Sequence, residues 1–391
     1  MHYTVLNYID KGLNFVIPFL ILKSHFTTVY ADVEYLISIS LLLSSFSDLG
    51  LRQYLFYAYR DVKDGNQFCL EIDRLTYLLV GGYVILSLLI YFLTGLNNLL
   101  LYCLFRCIFL TFINVKGSVC RLKDKPTDVF KYSLSINVLI TFVLVVFKYI
   151  DADFNLVSYA SIYIMFAGFV LMKMFYLIYE DRRLIYKILS LIRKSIYYAY
   201  PLILILIMTN IQNNIAKIYG YQKLSMDDFQ SLAILLRCFT FLLLAHASVI
   251  SYFSKYIYIS VGGIKKADFF KYLYLILVAF VIMFSFILVS NYFLILGYIS
   301  FNIEFYILLI TYFCMMIRAY IEQYFGKFAL LRYPTISTAI SFLFFLIPFL
   351  CFDIFDNSLI ALLSILMLSE IINMLMIIYF YKFKLKRHIY E

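Results

Sequence analysis

The chain has 391 residues and a formal net charge of +10; 64% of it is hydrophobic and only 14% is charged, with a mean hydropathy of +0.90. No water-soluble core uses so much apolar side chain, so these values exclude a soluble domain and make an all-α, polytopic membrane protein the expected fold class. The basic excess is no nucleic-acid footprint, because no Lys/Arg run with interleaved base-stacking aromatics stands in a soluble segment.

Taken in order, apolar runs of spanning length fall at roughly 4–22, 35–58, 75–95, 98–115, 132–150, 156–179, 196–218, 229–254, 272–297, 301–324, 335–354 and 358–381, with short polar loops between them. They predict about twelve transmembrane helices. Asp10 and Lys11 interrupt the first run and no basic stretch precedes it, so it reads as a retained span rather than a cleaved signal peptide. Asp32 and the Asp227-Asp228 pair come just before the second and eighth runs, where acids complement helix N-termini. Those matching positions fit a repeat of six helices plus six, with units expected at 1–190 and 191–391. An even number of helices per half makes the halves parallel.

Charge orients the runs. With both termini in the cytoplasm, most of the 33 Lys and Arg lie in loops on that side, and Lys23, Lys148, Lys217 and Lys223 lie on the other. This is the asymmetry of the positive-inside rule. Trp is absent, so the 38 Tyr and 40 Phe supply the interfacial aromatics. The seven Cys are dispersed, with no pairing or metal spacing, so no metal site or cofactor is expected. Asp151-Ala-Asp153 resembles a metal-binding D-x-D but occupies a short external turn, where helix capping explains it. No nucleophile–base pair and no phosphate-cradling glycine loop is present, which argues against an enzyme.

Ionisable groups inside the runs are Asp10, Lys11, Asp48, Arg52, Arg106, Lys173, Arg237, Arg318, Glu322 and Glu370. Each costs roughly 2.5–3.5 kcal/mol at a helix centre on insertion scales, so they must face an interior, pair, or snorkel. Asp48 with Arg52 and Arg318 with Glu322 are spaced i, i+4 for local pairing. Arg106, Lys173 and Arg237 have no acid one turn away on their own helix, and Glu370 has no base. Cations outnumber anions within the spans, and guanidinium groups suit phosphate. Arg106, Arg237, Arg318, Arg52, Lys11 and Lys173 are therefore the candidate contacts for an anionic, phosphate-bearing substrate, unless acids on neighbouring helices claim them. Lys173 is close enough to the cytoplasmic end to snorkel. Glu370 is the candidate proton or sodium carrier, with Asp10, Asp48 and Glu322 as the other carboxylates available. His246 can titrate or simply pack.

Amides form the other cluster. Asn210, Gln212, Asn213 and Asn214 arrive within one stretch behind Pro201, and Asn14 precedes Pro18 in the first run. An unpartnered amide in lipid costs a few kcal/mol, so these groups either line a wet interior, where they can bind sugar hydroxyls, or join helices. Two halves that each open with a proline-marked, half-polar span are a common transporter plan.

The segments Lys11 to Leu22, Ser47 to Gln53 (S-D-L-G-L-R-Q) and Asn210 to Gly220 resemble the bacterial O-antigen and polysaccharide flippases of the multidrug/oligosaccharidyl-lipid/polysaccharide exporter superfamily. The six-plus-six layout resembles that family over nearly the whole chain. The resemblance implies a flippase in the bacterial inner membrane. It would move an undecaprenyl-diphosphate-linked oligosaccharide to the periplasmic leaflet through a central cavity between two six-helix bundles that rock by alternating access. Its partners would be the lipid-linked oligosaccharide, the bilayer, and the polymerase and chain-length proteins of the same pathway. The chain departs from the family in having Asn213 and Asn214 where an acid often stands, and Leu36 where a glycine often stands. The rival expectations are a small-molecule exporter of the same fold, and a polymerase or glycosyltransferase. Drug exporters of that fold favour cations, which a positive interior repels. Polymerases and glycosyltransferases usually need a large external loop, and this sequence has none.

Overall fold

The structure is a computed structural model. It describes residues 9–21 apart from 11, 15 and 19, then 27–59, 64–95, 97–123, 125–150, 155–259, 263–292, 301–328, 330, 332–350 and 359–385. Helix dominates, and no strand occurs among the described residues. A leading helical stretch over 9–21 precedes α1 (Thr27–Ser47), α2 (Leu51–Tyr59), α3 (Gly65–Thr94), α4 (Asn98–Leu122), α5 (Phe130–Tyr149) and α6 (Leu156–Glu180). Then come α7 (Leu184–Lys223), α8 (Met226–Ile259), α9 (Lys266–Tyr292), α10 (Ile303–Lys327), α11 (Arg332–Leu350) and α12 (Leu359–Phe380). Among the described residues nine helices are long and apolar enough to cross a membrane, and ten if the parts of α7 on either side of Pro201 form one bent span. The protein is an all-α, polytopic membrane protein, since in lipid only a helix or a closed barrel satisfies its own backbone.

Helix ends follow local chemistry. Asp64 caps α3, its Oδ1 accepting from the Asn66 and Gln67 amides at 3.0 Å. Asn97 caps α4 and Asn155 caps α6 in the same manner, which satisfies amides that have no intrahelical partner. Ser225 and Asp228 close the start of α8: the Ser225 Oγ accepts from the Asp228 amide at 3.2 Å and donates to its carboxylate at 2.6 Å. Gly95 ends α3 at φ +62, a left-handed cap that glycine adopts without strain.

The chain forms two compact units, Met1–Asn210 and Ile211–Glu391. The boundary falls inside α7, twenty residues after the expected start of the second half. In the first unit α1, α3 and α6 pack around α4. In the second, α10 packs against α8 and α12, and α11 packs against α12. The expected spans four and ten are α4 and α10. Each carries one buried arginine aimed at the helix two spans later, Arg106 at α6 and Arg318 at α12. The two units thus repeat one internal device.

One expected helix divides. The run at 35–58 becomes α1 and α2, because Leu49 and Gly50 take φ +49 and +72. Asp48 folds over this break, its Oδ1 accepting from the Gly50 amide at 3.1 Å. Asp48 and Arg52 therefore stand on either side of a helix break, and the Arg52 side chain lies outside the described residues. A side chain at Gly50 would also meet the Ala199 Cβ at 2.4 Å. Gly50→Ala combines left-handed strain with overpacking and is expected to destabilise the protein by about 2–3 kcal/mol. The check is the thermal unfolding midpoint in detergent, with Ala199→Gly added to the Gly50→Ala chain recovering part of the loss.

Candidate functional site

Polar groups in the first unit collect where α1, α4 and α6 meet. Arg106 is only 6% exposed on α4. Its Nη1 donates to the Ile37 carbonyl at 3.4 Å, and its Nε has no hydrogen-bond partner. The hydroxyls of Tyr159 and Tyr163, one turn apart on α6, lie against the guanidinium. Among the described residues this cation meets phenols and a backbone carbonyl, and no carboxylate pairs with it. Its charge is therefore solvated by dipoles rather than by an opposite charge among the described residues, a costly state inside a membrane helix. On the leading helical stretch Asp10 is buried and accepts from the Asn137 Nδ2 of α5 at 2.9 Å, while Asn14 is exposed and donates to the Asp10 carbonyl at 2.9 Å.

The second unit holds a denser cluster. The Arg318 Nε on α10 is 3.8 Å from the Glu322 Oε1 one turn on and 3.6 Å from the Glu370 Oε2 on α12. The Glu370 side chain is 1% exposed, and neither of its oxygens accepts a hydrogen bond. Glu370 is thus no isolated acid, as its own helix suggested; its base comes from α10. One guanidinium serves two carboxylates, so the fully ionised cluster carries an uncompensated negative charge in a low-dielectric interior.

Around it runs a band of buried hydroxyls and amides. The Ser337 Oγ donates to Asn373 at 2.5 Å to its Oδ1, and the Ser341 Oγ donates to the Ser369 carbonyl at 2.8 Å. The Gln212 Nε2 donates to the Ser341 Oγ at 3.3 Å. Small hydroxyl residues let α11 and α12 approach closely, as in many membrane interfaces. The Gln212 Oε1, Thr338 Oγ1 and Asn373 Nδ2 are buried without hydrogen-bond partners. Unsatisfied donors and acceptors beside a charged cluster leave room for a bound proton, ion or water without a further polar element.

The remaining expected residues are dispersed. Arg237 is buried on α8 and engaged by neighbouring groups. Lys173 is exposed on α6, its Nζ 4.9 Å from the Tyr176 ring centroid, the arrangement of a snorkelling lysine that covers its stem. Asn214 is buried, whereas Asn210 and Asn213 are half-buried on α7. Asp48 is buried in its own turn. His246 is buried beside Tyr272. Lys11 and the Asp151-Ala-Asp153 turn lie outside the described residues. No group of three or more metal-ligating side chains occurs among the described residues.

Several buried groups escaped the sequence reading. Lys116 is expected in a loop but lies in α4, bonded to Asp73 and 5.6 Å from both the Tyr77 and Tyr132 ring centroids. Lys217 is expected in an external loop but is buried on α7. Glu34, just ahead of the expected second span, is fully buried in α1. The Ser337, Thr338 and Ser341 pattern, at i, i+1 and i+4, was the available signal for the α11 interface. In comparisons with known proteins, no family model and no curated protein matches the chain.

Arg318→Met strands the buried Glu370 carboxylate and the partly exposed Glu322 carboxylate and is expected to cost about 3 kcal/mol. Glu370→Gln alone keeps the shape and is expected to cost much less, and the Arg318→Met/Glu370→Gln chain should recover a large part of the Arg318→Met loss. Unfolding midpoints of the three variants in detergent give the comparison, and equal losses in the single and double variants would dissolve the assigned pairing.

Proposed function

We propose that the protein is a flippase for a lipid-linked, diphosphate-bearing oligosaccharide, working by alternating access between its two units. The observation that supports this reading best is Arg106, a buried cation inside a membrane helix whose partners among the described residues are phenols and a carbonyl. A guanidinium held ready by dipoles suits a diphosphate, which it can engage through two parallel hydrogen bonds. Arg237 would contribute a second cation, the amides Asn14, Asn210 and Asn213 would meet sugar hydroxyls, and the polyprenyl chain would stay in lipid. Lys173, on an exposed helix face, and Arg318, already shared by two carboxylates, fit the phosphate role less well.

The Arg318–Glu322–Glu370 cluster has the form of a coupling site. A proton on one carboxylate would neutralise it, and the proton's departure would leave a charge that favours a different packing or a wetter surrounding. Glu370 is the group assigned that proton. On this reading the protein resides in the bacterial inner membrane with both termini in the cytoplasm, and its substrate comes from glycosyltransferases on that side. Binding and reorientation, with no covalent step, would be its whole chemistry.

Two measurements test the reading. In cells depleted of the protein, the lipid-linked oligosaccharide is expected to accumulate on the cytoplasmic leaflet of the inner membrane; accumulation of single units on the periplasmic leaflet would make the protein a polymerase or ligase instead. Arg106→Lys, which keeps the charge but loses the fork, is expected to lower surface polysaccharide at least about tenfold at unchanged protein level. In proteoliposomes, Glu370→Gln is expected to give a transport rate that no longer responds to an imposed pH gradient, and a variant that responds like the parent chain would remove Glu370 from that role.

A further inference from the structure

The helix α7 is too long for one span. Its forty residues measure about 60 Å at 1.5 Å per residue, about twice the roughly 30 Å of a hydrocarbon core. Its first part, Leu184–Tyr200, ends at Pro201, where the ring removes a helical hydrogen bond. Three residues separate it from the end of α6 at Glu180, so the chain enters it close to where α6 ends.

At 3.6 residues per turn this segment has three distinct faces. Leu184, Ile188, Ser195 and Ala199 form one buried stripe against the protein. That stripe is clasped to the Asp48–Gly50 break. The Ser195 Oγ donates to the Leu49 carbonyl at 2.7 Å, and Ala199, with no exposed surface, lies on Gly50. A neighbouring arc carries Ile185, Leu189, Ile196 and Tyr200, between 41% and 60% exposed. These four fall within about one-sixth of the circumference, too apolar a stripe to face water. Beyond the arc come Tyr186 and Tyr197, the most exposed aromatic residues of the segment, flanked by the exposed Arg193 and Lys194. No acid lies between Asp181 and Tyr200, and of the five basic residues Arg182, Arg183, Lys187, Arg193 and Lys194, Lys187 alone pairs with a carboxylate among the described residues, Glu71 at 2.5 Å.

We infer that Leu184–Tyr200 lies in the surface of the bilayer and is a binding face for anionic phospholipid headgroups. Its clasp fixes the roll of the helix. The apolar arc then enters the acyl boundary, the tyrosines sit at headgroup depth, and Arg182, Arg183, Arg193 and Lys194 meet lipid phosphates. An aromatic and basic face beside an apolar arc is the composition of an interfacial helix. This assignment goes beyond the transport reading and does not depend on what the protein carries.

The chain contains no Trp, so Leu189→Trp and, separately, Ile196→Trp place a single reporter on the arc of the full-length protein. Each variant is reconstituted in vesicles of mixed phosphatidylglycerol and phosphatidylcholine, with one lipid or the other carrying brominated acyl chains. Quenching by the brominated phosphatidylglycerol is expected to exceed quenching by the brominated phosphatidylcholine at least about fivefold, the effect of even one basic residue at a charged surface. Arg182→Gln/Arg183→Gln/Arg193→Gln/Lys194→Gln in the same reporter chains should abolish the preference while quenching persists. Unquenched, water-like emission from both reporters would overturn the surface placement, and equal quenching by the two lipids would overturn the recognition of anionic headgroups.

Discussion

A charge inside a membrane helix has to be answered by protein, because hydrocarbon offers it nothing. Much of this structure follows from how its buried ionisable groups are answered. In the second unit the answer is other charge, with Arg318 between Glu322 and Glu370. In the first it is dipoles, with Arg106 against two phenols and a carbonyl. The two solutions occupy corresponding places, α4 facing α6 and α10 facing α12. At these two sites the charge left over is positive at Arg106 and negative at the fully ionised Arg318–Glu322–Glu370 cluster.

That difference gives the proposed transport cycle its division of labour. A cation solvated by dipoles binds an anion without first breaking an ion pair, which keeps the cost of capture low. In the proposed cycle, a proton on one of the two carboxylates that share Arg318 would change the net charge of the cluster, which suits a switch rather than a receptor. The surrounding hydroxyls and amides of α11, α12 and Gln212 include atoms with no partner, and such under-satisfied interiors rearrange at less cost than saturated ones.

The break at Asp48–Gly50 links a local sequence feature to the surface of the protein. Two consecutive left-handed residues end α1, an exposed backbone carbonyl at Leu49 takes the Ser195 hydroxyl, and the missing side chain at Gly50 admits Ala199. A helix held this way has its roll set by the break. On the opposite side of the same segment the Lys187–Glu71 pair, together with Arg74 and Glu180 at 3.5 Å, ties the ends of α3, α6 and α7. Such exposed pairs contribute little energy each, and their role is to fix position.

Composition and periodicity alone determined the class of the molecule and most of its helices, since a run of apolar residues of spanning length has one stable form in lipid. They also determined which residues had to be explained, because a charge within such a run is visible without any structure. The i, i+4 pair Arg318–Glu322 was legible for the same reason: it is a property of one helix. What only the tertiary structure decided was every pairing between helices. Glu370 looked solitary because its base is Arg318 on α10, more than fifty residues earlier in the chain. Lys116 looked like a loop charge because hydropathy records the side chain and not the Asp73, Tyr77 and Tyr132 that shield it; Lys217 also looked like one, yet it is buried on α7. The Asp48–Arg52 spacing presumes one continuous helix, and two left-handed residues, Leu49 and Gly50, interrupt it. Sequence lists the charges that a membrane protein must answer; the fold alone determines which groups answer them.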